Sequence, residues 1–162
     1  MDQSAFYGVV SAINFTLLGL WWVAAKDRSD FGSASFRRMA YFVSLQFAIP
    51  ATVALLAQVA PDIQEVWRWS FSLAGIAGGI GVVMLAYEMS AQTDAQVLPK
   101  LFALIGVPLY ALVVIVALSP GVVADAGLAL KGIEAEGMLL AILVFLGVQQ
   151  AWFVSTTPAK SS

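Results

Sequence analysis

Trp67-Arg68-Trp69-Ser70-Phe71-Ser72-Leu73-Ala74-Gly75-Ile76-Ala77-Gly78-Gly79-Ile80-Gly81 opens a stretch that runs on through aliphatic residues to Tyr87-Glu88-Met89. Nineteen residues separate Arg68 from Glu88, and none of them is charged. As a helix, that length crosses a hydrocarbon core. In water, Gly75, Gly78, Gly79 and Gly81 would each cost a helix about 1 kcal/mol. In lipid, the same glycines let another backbone come close. The stretch therefore reads as a packing helix of a membrane bundle. The sequence leaves its partner open: a helix of the same chain, a second copy or a different protein.

Composition agrees. Of the 162 residues, 60% are hydrophobic and 11% charged, against about 25% charged in a soluble domain. Such a chain cannot cover itself with a polar surface, so the expected class is an all-α integral membrane protein in the cell membrane, with residues 1–162 as one domain. There is no cysteine and no histidine, which removes thiolate chemistry and the usual proton shuttle and metal ligand. A net charge of −2 gives no reason to expect a nucleic-acid partner. The start, Met-Asp-Gln-Ser, lacks the basic beginning of a cleavable signal, so the first segment is expected to stay in the membrane.

Working outward, four more apolar runs flank the first. The spans are expected at about 5–25, 39–59, 67–89, 98–118 and 135–155, making a bundle of five transmembrane helices. The odd number argues against two equal inverted halves. Lys26, Arg28, Arg37, Arg38, Lys100 and Lys160 fall on one side, and Arg68 and Lys131 on the other. The positive-inside rule then puts the N-terminus outside and the C-terminus in the cytoplasm. Asp62, Glu65, Asp125, Glu134 and Glu136 fall outside. The five tryptophans, near span ends, read as interfacial anchors. Residues 121–133 are too short and polar to span. Val122, Ala126, Leu130 and Ile133 share helical spacing, so the segment reads as an interfacial helix or a re-entrant cap.

Three constellations stand out. Ser4, Tyr7, Ser11 and Asn14 recur at three, four and three residues, one face of the first helix, and lead to Leu18 and Trp21. They read either as interhelical glue or as a hydrated path. Gln46 precedes Pro50 by four residues, so the proline frees the carbonyl of Gln46 at mid-span and predicts a kink. Pro108 does the same for Leu104, with Tyr110 just beyond. Glu88 extends the face of Gly78 and Gly81 to the inner end, where an ionisable group suggests function and the first-loop arginines offer a partner. Glu134 and Glu136, at the start of the fifth helix, suit its positive dipole end.

Catalytic pairs are missing, no haem or phosphate loop is legible, and no metal site or other cofactor is called for. Two functions remain. One is an oligomeric pore or transport-type protein for small ions or solutes, wetted by Ser4, Tyr7, Ser11, Asn14, Gln46 and Glu88. The other is a non-catalytic accessory or scaffold subunit. Besides the bilayer, partners are expected to be further copies or other membrane subunits, because five helices leave few with which to bury a glycine face internally.

Overall fold

The computed structural model describes residues 3–59, 63–93 and 96–157. Pro61, Asp62 and Lys160, used above for a loop and for the charge balance, lie outside them. The described residues are all helix and connection, with no strand. The helices are α1 (Gln3–Lys26), α2 (Ala34–Val59), α3 (Gln64–Gln92), α4 (Val97–Leu118), the short α5 (Val122–Asp125) and α6 (Gly132–Thr156). All but α5 are long and apolar enough to cross a membrane.

Residue contacts order these helices head to tail. α1, α3 and α6 start together: the Tyr7 hydroxyl donates to the Ile133 carbonyl at 2.5 Å, and Gly132 lies against Trp67. α2 and α4 run the other way. One end of the bundle carries Glu65, Asp125 and Glu134 and is called the acidic end below. The other carries Lys26, Arg28, Arg37, Arg38 and Lys100 and is the basic end.

The helices begin and end where local chemistry directs. α2 starts at Ala34, five residues before the expected span, because the Ser33 hydroxyl accepts the Phe36 N–H at 3.1 Å as an N-cap. Arg37 and Arg38 are therefore helical and not part of a loop. α6 starts at Gly132 because the Glu134 carboxylate reaches back to the Lys131 N–H at 2.9 Å. α2 continues through Pro50 and α4 through Pro108. Pro50 is buried in the bundle, whereas Pro108 is on its exposed outside.

Two arginines clip helix ends whose last carbonyls lack intrahelical donors. Arg68 donates to the carbonyls of Ala117 and Leu118 at 2.9 and 2.5 Å, closing α4. Arg28 donates to Val154, Ser155 and Thr157 at 3.1, 2.7 and 3.0 Å, closing α6. A cation at a helix C-terminus also meets the negative end of the dipole. Arg68 thus makes a specific contact within the chain.

The segment after α4 holds only four helical residues, with Val123 buried and Val122 exposed, so the expected helical face through Val122, Ala126 and Leu130 does not form. Gly127 explains the break: its φ of 76° belongs to the left-handed region. Trp21 is also corrected. It is buried, and its indole N–H donates to the Ala40 carbonyl at 3.0 Å, so it joins α1 to α2. Trp67 is buried with Phe71 and Tyr7. Trp69 and Trp152 stay exposed, as interfacial rings do.

Candidate functional site: a buried polar interior

The glycine face of α3 is covered inside the chain. A Cβ on Gly78 would sit 2.1 Å from the Tyr110 ring, and one on Gly75 would sit 2.6 Å from Val114, both on α4. Gly81 faces Gln46 of α2, where a Cβ would meet the amide nitrogen at 3.2 Å. Gly79 lies beside Tyr110 with ordinary room to spare, at 3.6 Å. On α4, Gly106 answers with Val82 and Leu146 packed over it. The expected need for a second chain on this face falls away, because α2 and α4 already fill it.

Close approach of α3 and α4 has a polar consequence. With Gly78 beneath its ring, Tyr110 reaches the centre and donates its hydroxyl to Oε1 of Gln46 at 2.9 Å. Nε2 of Gln46 has no partner. Gln46 also lies against Gly147 of α6, so α2, α3, α4 and α6 converge on one amide. Asn14 bonds within its own helix: its Nδ2 donates to the Val10 carbonyl at 2.8 Å, and its Oδ1 is unpartnered.

The stripe on α1 does share a face, and the face turns inward. Tyr7, Ser11 and Asn14 are buried, and Ser4 is half-buried. Tyr7 closes the acidic end of this stripe through its bond to Ile133, and its ring packs edge-on to Phe71.

Glu88 sits elsewhere. Its carboxylate accepts from Arg38 at 2.7 and 3.3 Å and from Ser35 at 3.4 Å, at the basic end. It ties α3 to α2 and does not touch the polar interior. Asp30 forms the second pair of that end, two-pronged with Arg28 at 2.8 and 2.9 Å. The hydrogen bond from Arg28 holds the Asp30 carboxyl below its ordinary range.

The residue the sequence reading passed over is Glu136. It is fully buried, and neither carboxylate oxygen has a partner among the described residues. Glu134 takes the role at the helix start that was expected of both. Glu136 continues a buried face of α6, Glu136-Leu140-Leu143-Gly147-Gln150, at intervals of four, three, four and three. Gln150 is likewise fully buried, with its amide oxygen and nitrogen unpartnered. That spacing was the signal available in the sequence. Ser72, buried on α3 with a free hydroxyl, gave none.

Depth can be assigned by register. Gly147 meets Gln46 and Phe47 on the antiparallel α2. Eleven residues further toward the acidic end lie Glu136 on α6 and the buried Ala57 on α2. Glu136 and Gln150 are fourteen residues apart, about 21 Å at 1.5 Å per residue. Buried Leu140 and Leu143 separate the carboxylate from the Gln46 level.

No protein-family model matches the chain, and no curated protein or solved structure is significantly similar to it.

Proposed function

We propose that the chain is an integral membrane protein of transport type, handling a small ion or solute within the interior of its own five-helix bundle. One observation carries this reading: Asn14, Gln46, Ser72, Glu136 and Gln150 are buried with polar atoms that no protein group satisfies. Each such atom costs about 1–3 kcal/mol in a protein interior. Packing alone gives no reason to keep them. An ionisable side chain within a membrane helix marks a functional site.

On α6 and its neighbour α2 the polar groups form two levels, and Asn14 of α1, seven residues beyond Tyr7, lies at the depth of Leu140 between them. Glu136 occupies one, near the acidic end under Tyr7. Gln46, with Tyr110, occupies the other, and Gln150 lies one turn beyond. Leu140 and Leu143 between them suit a protein that exposes its levels in turn better than an open pore. The orientation with the acidic end outside follows from the basic residues of the other end.

The test is flux. Purified protein in liposomes is expected to pass an ion or small solute above empty vesicles, and Asn14→Leu and Gln150→Leu are expected to change that rate while the fold survives. Absence of flux for every small ion and solute tried, with the protein folded and inserted, sinks the reading.

A second reading, an accessory subunit, draws on a groove of about 390 Å³ between α2 and α3. Ala48, Ala74 and Ala77 line it together with Thr52 and Ser70. Small residues of this kind admit a partner helix. Co-purification with one fixed membrane partner at constant ratio supports it.

A further inference from the structure

Glu136 is fully buried, and its two carboxylate oxygens have no hydrogen-bond partner among the described residues. No group of three or more acidic, cysteine or histidine side chains exists among the described residues. The Tyr7 hydroxyl already donates to the Ile133 carbonyl, one turn before Glu136. A sodium or calcium ion asks for about six or more oxygens, whereas a proton asks for one.

Groups facing this position are few. From α1 comes Tyr7. From α2 come Ala54 and Ala57, with no titratable side chain. From α3 come Trp67 and Phe71, while Arg68 of the same turn is engaged by the end of α4. On α6 itself, Glu134 is turned back to the Lys131 backbone. Among the described residues no ion pair engages the carboxylate: the pairs there are Arg28–Asp30 and Arg38–Glu88, both at the basic end.

We infer that Glu136 is the proton-carrying group of this protein, loaded and unloaded from the acidic end beneath a lid made by the Tyr7–Ile133 hydrogen bond. This deepens the transport reading by naming the proton as the species handled at that site. In loading, hydronium gives its proton to one carboxylate oxygen, an O–H bond forms and water leaves. Unloading is the reverse, so nothing is oxidised or reduced. The lid follows from geometry: Tyr7 is buried over the first turn of α6, and the Phe71 and Trp67 rings back it at centroid distances of 6.2 and 6.3 Å along the chain of contacts.

The experiment is infrared difference spectroscopy of the full chain in nanodiscs, stepped between about pH 5 and about pH 9, above the ordinary carboxylate range. Wild type is expected to show a carboxyl C=O band that is lost in E136Q and kept in E88Q. E136D, which preserves the acid, is expected to keep the band at a shifted frequency. Y7F is expected to exchange the proton faster than wild type. Identical spectra for wild type and E136Q overturn the assignment, as does a band that moves when sodium or potassium replaces choline. Unchanged exchange in Y7F overturns the lid. The transport reading fails separately: a Glu136 band with no flux in liposomes keeps the site and removes the transport function. Flux without such a band does the opposite.

Discussion

Glu88 and Glu136 are the same residue in two opposite situations. Glu88, at the basic end, is met by Arg38 and Ser35. Glu136, in the interior near the acidic end, has no hydrogen-bond partner among the described residues. From sequence, Glu88 looked the more interesting, because it extended the glycine face. Glu136 looked explained, because it stood beside Glu134 at a helix start. Tertiary structure reverses the ranking. A carboxylate with its partners in place is accounted for by packing, and one buried without partners requires another account. The basic end holds two ion pairs, Arg28 with Asp30 and Arg38 with Glu88. The interior keeps its polar groups open.

That contrast can be broken in several ways. The largest effect is expected where the Gln46 level depends on one close approach. Gly78→Ala puts a methyl group into the Tyr110 ring, and overpacking of this severity is expected to cost about 3 kcal/mol. Thermal unfolding in detergent checks it. A stability equal to wild type would mean that α3 and α4 are not held as described, and the Tyr110–Gln46 bond with them.

The next test has the opposite sign. Glu136→Leu removes two unpartnered acceptors and fills the same space. It is expected to raise stability by about 2 kcal/mol and to abolish the flux. A loss of stability would show that Glu136 has a structural partner, and the contrast with Glu88 would collapse.

Arg28→Ala is expected to cost about 1.5 kcal/mol, because it frees three carbonyls at the end of α6 and strands Asp30. Its pH dependence has a definite sign. The Asp30 carboxyl is held below its ordinary range by the Arg28 hydrogen bond. Its contribution is therefore complete above the ordinary carboxylate range and is lost as pH falls through the lowered value. The difference in melting temperature between wild type and Arg28→Ala should shrink on acidification below that range. A constant difference would deny the pair its role.

Glu88→Gln is expected to matter least, below about 1 kcal/mol, since the pairing arginine is mostly solvent-exposed. The effect should fall further in high salt. A cost larger than that of Arg28→Ala would move Glu88 from surface tie to core element.

Much of the fold was legible because it rests on one-dimensional properties. Length and apolarity of the five runs located the long helices to within a few residues at most ends. The larger miss, the start of α2, came from a local hydrogen bond of Ser33 that hydropathy does not register. The stripe of Tyr7, Ser11 and Asn14 was legible because helical spacing alone puts these residues on one face. Which way the face turned was not, since lipid and bundle interior are both dry.

The candidate site was legible only in fragments. Gln46 was singled out for its proline, and its actual partner, Tyr110, came from another helix brought near by Gly78. Glu136 and Gln150 lay in plain view at helical spacing, but an isolated glutamate near a helix start has a sufficient local explanation in the dipole. Only burial from all sides removes that explanation.

The stretch around Gly75–Gly81 marks the division. By itself the sequence determined that this stretch is an apolar helix with a face of small residues, because length, hydropathy and the missing Cβ atoms are properties of the chain. That α4 and α2 occupy the face, that Tyr110 thereby reaches Gln46, and that Glu136 is left without a partner were decided by the tertiary structure. Contact depends on which helices are neighbours and at what register, and no single helix carries that information.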